Sequence, residues 1–272
     1  MAGAGRLPGK VRRTLGSLIL LIAGRFQGRS GLVTGAGSGI GEACAIRFAE
    51  EGAEVALVDR AEDSLERVAA TIAERGGRAS IHALNVADGE ACVELIPRIA
   101  ADLGGLDFAA NIAGIGGELS PTQEYQLDSW RQVLAVNLDG VFYCLRAELS
   151  VMLAAGRGAI VNMGSIFSVV ARDLMPAYTA SKHGVLGLTR AAAIDCAETD
   201  VRINAVGPGV IATPLLETSV PVDEQERLAS LNPSKRLGST DEVASLVTWL
   251  CSDEASFVNG GFYPVDGAFT AA

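Results

Sequence analysis

Tyr178 and Lys182 stand four residues apart in a stretch of helical period, so both side chains emerge on one face of a helix. A phenol beside an ammonium is a candidate proton exchanger, because the adjacent positive charge favours the phenolate. That charge matters, since an unperturbed phenol titrates near pKa ~10 and is seldom ionised at neutral pH. Alone, a Tyr-x-x-x-Lys spacing is a frequent accident on exposed helices. It gains meaning from its company.

A second group is Thr34-Gly35-Ala36-Gly37-Ser38-Gly39-Ile40-Gly41, lying between an apolar run and a helical stretch. Glycines there let the backbone approach a pyrophosphate, and the helix N-terminus faces the negative charge. Asp59, eighteen residues beyond Gly41, ends the second apolar run, where a carboxylate accepts hydrogen bonds from an adenosine ribose.

Other chemistries are disfavoured. A net charge of -10 leaves no excess of Lys and Arg to neutralise phosphates, so no nucleic-acid partner is expected. Cys44, Cys92, Cys144, Cys196 and Cys251 are odd in number, scattered and never in a C-x-x-C pair, and read as reduced, buried residues of a cytoplasmic protein. With only His82 and His183, at no ligand-like spacing, neither a metal site nor a Ser-His-Asp triad is expected.

These residues need a scaffold. At 272 residues, 49% of them apolar, the chain can build one α/β domain with a large core. Apolar runs predict strands at Gly31–Thr34, Glu54–Asp59, Ala79–Asn85, Leu106–Asn111, Gly158–Met163, Val201–Val206 and Gly261–Val265. Between them Ile40–Glu51, Ala61–Arg75, Asp88–Leu103, Leu127–Ala155, Ala177–Glu198 and Thr240–Cys251 read as helices, with Thr240 as N-cap of the last. The alternation predicts a doubly wound domain over 26–272: a seven-stranded parallel sheet with helices on both faces. Val210–Ser239, with Pro214, Pro221 and Pro233, reads as an irregular, flexible lid. Residues 1–25 read as a mobile extension, basic through Arg6, Lys10, Arg12, Arg13 and Arg25. Its apolar stretch Leu15–Ala23 is too short to span a bilayer, so no membrane contact is expected.

The motifs agree in order and spacing with a known family. Thr34-Gly35-x-x-x-Gly39-x-Gly41, Asn111-Ile112-Ala113-Gly114, Asn137, Ser165, Tyr178-Thr179-Ala180-Ser181-Lys182 and Pro208-Gly209 resemble the short-chain dehydrogenase/reductase family, in its compact classical type. The resemblance covers the chain from about Phe26 onward. It implies a Rossmann-like fold, a dimeric or tetrameric assembly, here taken as a homotetramer, and hydride transfer between a nicotinamide cofactor and an alcohol or ketone. It further implies that Tyr178 exchanges the proton with substrate oxygen, that Ser165 hydrogen-bonds that oxygen, and that Lys182 binds the nicotinamide ribose and lowers the tyrosine pKa. Asn137 would hold a water in a proton relay from Lys182. The implied cofactor contacts are Gly35, Ser38, Gly39, Ile40, Gly41, Asp59, Arg60, Asn85, Val86, Asn111, Ala113, Gly114, Tyr178, Lys182, Pro208, Gly209, Ile211 and Thr213.

Three departures from the family's pattern stand out. Asn85 replaces an aspartate beside the adenine, Ile112 replaces the second asparagine of Asn-Asn-Ala-Gly, and Gly164 replaces a serine before Ser165, which is expected to widen the pocket. Asp59 is expected to select NAD over NADP by repelling a 2′-phosphate, against the opposing charge of Arg60. Ile115, Phe167, Met175, Leu215 and Leu216, near the implied pocket, favour a lipophilic cyclic secondary alcohol or its ketone. Glu118, Arg172 and Asp173 favour instead a diol, a hydroxy acid or a sugar derivative. Two further alternatives are a non-catalytic NAD-binding scaffold, opposed by the complete Asn137, Ser165, Tyr178, Lys182 set, and an epimerase or dehydratase of the extended relatives, disfavoured by the shorter chain and the Gly35-x-x-x-Gly39-x-Gly41 spacing.

Overall fold

A computed structural model describes residues 24–214, 216 and 222–271. The strands are β1 (Ser30–Thr34), β2 (Glu54–Asp59), β3 (Arg78–Ala83), β4 (Phe108–Asn111), β5 (Arg157–Met163), β6 (Asp200–Pro208) and β7 (Phe262–Val265). All pair in parallel in the order β3-β2-β1-β4-β5-β6-β7. Strand order reverses between β1 and β4, and a crevice at such a switch point is where open α/β sheets bind ligands.

The helices are α1 (Gly39–Glu50), α2 (Glu62–Glu74), α3 (Gly89–Asp102), α4 (Leu127–Leu134), α5 (Gly140–Ala155), α6 (Pro176–Asp195), α7 (Val222–Leu231) and α8 (Thr240–Cys251). Successive strand residues point to opposite faces, so both faces must be covered. Val33, Leu57 and Val161 pack with Phe48 of α1, Val68 of α2 and Val247 of α8. Leu32, Val58 and Ile160 pack on the other face with Ile96 of α3, Leu145 of α5 and Ala192 of α6. The predicted architecture is therefore observed.

The structure corrects several expectations. Leu84 and Asn85 lie beyond β3, which stops at Ala83; the turn that follows is closed by Ala87 N–H donating to Asn85 Oδ1 at 3.1 Å. The single helix expected over Leu127–Ala155 is interrupted by a π-helical turn at Ala135–Asp139. The N-cap of α8 is Ser239, not Thr240: Ser239 Oγ accepts from Glu242 N–H, and Ser239 N–H donates to Glu242 Oε2 at 2.8 Å, a reciprocal capping box. The segment expected to be irregular, Val210–Ser239, contains α7. Arg25, expected in the extension, is tied into the domain by a bidentate pair with the buried Glu51 at 2.6 and 2.7 Å. Residues 1–23 of the expected extension lie outside the described residues, as does Leu215. Among the described residues no helix is long and apolar enough to cross a membrane.

Candidate active site

The glycine-rich turn links β1 to α1. Gly35 and Gly39 have φ of +67° and +58°, left-handed values that favour glycine, and a Cβ at Gly41 would come within 2.0 Å of the Gly35 carbonyl oxygen. Ser38 is the N-cap of α1 yet makes no side-chain cap bond, so the first N–H groups of the helix, at Gly39 and Ile40, are not capped by it. This is a cradle for an anion. Asp59, at the end of β2, turns its carboxylate to the same turn: Oδ2 accepts from Gly37 N–H and Oδ1 from Ala61 N–H, each at 3.1 Å. The residues present thus fit a dinucleotide.

Sequence reasoning missed Arg67. From α2 it donates to the Gly37 carbonyl at 2.9 Å and forms a bidentate pair with Glu42 of α1 at 2.6 and 2.8 Å, clamping the turn. Arginine on an amphipathic helix carries no signal of such a tertiary contact.

On the far side of the crevice, Thr34 Oγ1 accepts from Ile112 N–H at 3.0 Å and Ala113 N–H at 3.3 Å, joining the ends of β1 and β4. Backbone contacts carry this junction, so Ile112 fits where the family has asparagine. Asn111 is buried and bonds to Asn162 and Glu148. Val86 is buried, whereas Asn85 is exposed. Beyond β6, a Cβ at Gly209 would stand 2.9 Å from Asp266 Cα, so the chain passes Pro208 closely against the C-terminal turn. Ile211 bridges to Gly238, and the Thr213 methyl lies 3.5 Å from where a Gly39 Cβ would be, bringing the start of the expected lid over the glycine turn.

The residues expected to exchange the proton converge from three elements. Ser165 follows β5 and caps a short 3-10 turn, its Oγ accepting from Phe167 N–H at 3.2 Å. Tyr178 and Lys182 lie on α6, with Lys182 Nζ 5.6 Å from the Tyr178 ring centre and donating to the Met163 carbonyl at 2.8 Å. Asn137 sits fully buried in the π turn, where Nδ2 donates to the Ile115 carbonyl at 2.9 Å and Oδ1 accepts from Ile115 N–H at 2.8 Å. A Cβ at Gly114 would stand 3.3 Å from Asn137 Oδ1 and 3.6 Å from Lys182 Nζ, so the two polar groups meet at that glycine.

Burial dominates the electrostatics of the pair. Burial pushes the Tyr178 phenol up, and a hydrogen bond with Ser165 only partly opposes it. Burial also lowers Lys182 to about 8, so the lysine charge is itself disfavoured. Ser165 is the group that favours the phenolate.

Phe167 meets Tyr178 edge to face at 6.1 Å between centroids, and Ile115, Met175 and Leu216 are half-buried. Gly164 does not widen the pocket: a Cβ there would meet Ser168 Oγ at 2.8 Å and the Val206 carbonyl at 3.1 Å, so the space is already filled. Glu118 is engaged locally, its Oε1 accepting from Gln126 N–H at 2.6 Å ahead of α4, and Arg172 pairs with Asp173 at 3.7 Å. His183 is on the surface of α6 beside the Thr179 carbonyl. All five cysteines are free and buried. No cluster of three or more His, Cys, Asp or Glu suited to a metal occurs among the described residues.

Comparison with known proteins agrees with this geometry. A family model described as Enoyl-(Acyl carrier protein) reductase matches residues 35–270. The chain is 41% identical to the cyclohexanol dehydrogenase of Acinetobacter sp. (strain SE19), covering 92% of this chain and 98% of that protein. It is also 41% identical to the cis-4-hydroxycyclohexanecarboxylate dehydrogenase of Sinomonas cyclohexanicum, over 90% and 98% of the two chains. The crystal structure of levodione reductase superposes with a TM-score of 0.88 at 36% identity, covering 91% of this chain and 99% of that one. With the motif set, the sheet order and these relatives in agreement, the chain belongs to the short-chain dehydrogenase/reductase family of oxidoreductases.

Proposed function

We propose that this protein is an NAD(H)-dependent oxidoreductase that interconverts a lipophilic, cyclic secondary alcohol and its ketone. The observation that carries the reading is the convergence of Ser165, Tyr178, Lys182 and Asn137 beside the Thr34–Asn111 junction. When bound, the nicotinamide ring supplies or receives the hydride. Tyr178 passes the proton to or from the substrate oxygen at its hydroxyl, and Ser165 hydrogen-bonds that oxygen while favouring the phenolate. Lys182, anchored on the Met163 carbonyl, holds the nicotinamide ribose. Asn137 fixes the Ile115 backbone and leaves the Lys182 ammonium a polar path past Gly114 for proton exchange.

The preference for NAD rests on Asp59, whose carboxylate faces the glycine turn, and on Arg67, the basic side chain at Gly37, being paired with Glu42. The cyclic substrate is supported by the ring alcohols named for two relatives and by Phe167 against Tyr178. The local partners of Glu118, Arg172 and Asp173 weigh against the polar alternative. A homotetramer in the cytoplasm is part of the same reading. Its support is the exposed apolar set Leu127, Trp130, Phe142, Leu153 and Ile194 on α4, α5 and α6, a surface that a symmetric partner would cover. Cofactor absorbance with ring alcohols, on wild type and Tyr178→Phe, tests the proposal.

A further inference from the structure

Beneath Lys182 and the ends of β4 and β5 lies a buried polar chain whose hydrogens can be counted. The Thr189 hydroxyl donates to the Val185 carbonyl at 2.8 Å, so its oxygen is left to accept from Asn162 Nδ2 at 3.0 Å. That turns Asn162 Oδ1 toward Asn111. Asn111 Nδ2 then directs its two hydrogens to Asn162 Oδ1 at 3.0 Å and Glu148 Oε2 at 2.9 Å.

Two buried oxygens are left without partners, Asn111 Oδ1 and Glu148 Oε1, on residues 1% and 0% exposed. They belong to the same two planar groups that the Asn111–Glu148 bond already joins. Two acceptors cannot satisfy each other unless one carries a proton, and an ionised carboxylate carries none. A proton on Glu148 Oε1 supplies the missing donor and closes an eight-membered acid–amide ring. Leaving both buried oxygens unsatisfied would forfeit the hydration that each has in water.

We infer that Glu148 is a neutral carboxylic acid closed in a ring with Asn111, and that this pair is a positioning device for the proton-exchange site. The second half rests on the reading of Tyr178 and Lys182 as the reacting pair. Asn111 is the last residue of β4 and pairs with Thr34 of β1 and Asn162 of β5. Asn162 immediately precedes Met163, whose carbonyl holds Lys182 Nζ. Glu148 on α5 thereby fixes the two strand ends against which Lys182 is seated.

Burial pushes Glu148 up to about 8, the Asn111 bond opposing only part of that, and no cation contributes. The ionisable groups whose titration it influences are thiols: Cys144 on its own helix, Cys92 on α3 and Cys251 on α8. An unfolded glutamate titrates near ~4.3, so between there and about 8 the folded chain holds a proton that the unfolded chain has lost. This group's contribution to stability therefore falls as pH rises through that window and is flat above it.

The test compares wild type with Glu148→Gln, whose amide can close the same ring without titrating. At pH 7 the infrared spectrum of wild type is expected to show a protonated-carboxyl stretch that the variant lacks. Across the window the folding constant of wild type should fall relative to the variant by up to about tenfold per pH unit. No such band, with parallel stability curves, would mean an ionised Glu148 and overturn the ring. For the positioning role, Glu148→Leu, or Glu148→Asp if the leucine variant does not fold, should lower kcat roughly tenfold and displace its pH profile, with Glu148→Gln recovering both. An undisplaced profile would overturn that half. The infrared and stability readouts need no turnover, so they judge the ring even if the assignment of Tyr178 fails.

Discussion

Lys182 holds its ammonium nitrogen 5.6 Å from the centre of the Tyr178 ring, both side chains rising from one face of α6. The lysine is seated on the Met163 carbonyl, and the phenol is reached by Ser165. Removing only the phenol oxygen with Tyr178→Phe should cut kcat by ~10²–10⁴-fold while NADH affinity, measured by fluorescence titration, changes little. Lys182→Met should damage turnover and cofactor binding together. A Tyr178→Phe enzyme retaining more than about a tenth of wild-type kcat would remove the tyrosine from its role.

The pH dependence has two parts with definite signs. Alcohol oxidation needs the phenolate, and burial raises the Tyr178 pKa, so oxidation should accelerate as pH rises above neutrality while ketone reduction does not. Lys182, at about 8 folded against ~10.4 unfolded, binds fewer protons in the folded chain between those values. Its contribution to stability therefore rises with pH through that interval, and Lys182→Met should abolish the rise in urea melts. Oxidation fastest below pH 6 would contradict the first part.

Asp59 should make NAD the better cofactor. A carboxylate and a phosphate at ~4 Å repel by about 1 kcal/mol in bulk water and about 4 kcal/mol near a protein surface, or from roughly fivefold up to roughly a thousandfold in relative kcat/KM. Asp59→Ser should narrow the preference, and Arg67→Ala should weaken binding of both cofactors by loosening the Gly37 turn. Equal kcat/KM for NAD and NADP in wild type would defeat the assignment.

Light scattering at micromolar concentration should find a homotetramer. Phe142→Asp, which puts a charge among the exposed apolar side chains of α5, should yield smaller species. A wild-type monomer would refute the assembly.

The strands, the sheet and the glycine turn were legible because period-2 and period-3.6 patterns, turn glycines and strand-end carboxylates are local signals. The π turn at Asn137 was not, since one inserted residue barely changes helical periodicity, yet it carries the side chain that grips Ile115. Thr240 looked like a cap from composition, but capping depends on which hydroxyl reaches the third residue's N–H, and Ser239 does. Gly164 read as an opening, because sequence shows what a residue lacks and not that Ser168 fills the gap. Glu148 gave no signal at all: a glutamate on an apolar helix becomes informative only when its buried neighbours are known. The lysine–tyrosine spacing is a local signal, while the burial that raises one pKa and lowers the other is not, because no spacing reports it.

The central claim is tested most directly by NADH formation with NAD saturating, comparing cyclohexanol and steroid or terpenoid alcohols with 2-propanol and sorbitol. Burying a ring against Phe167 and its apolar neighbours should contribute on the order of 2–3 kcal/mol, ranking ring alcohols above 2-propanol by roughly one to two powers of ten in kcat/KM. Tyr178→Phe should remove the signal for every ring substrate. A higher kcat/KM for sorbitol than for every ring alcohol would contradict the account.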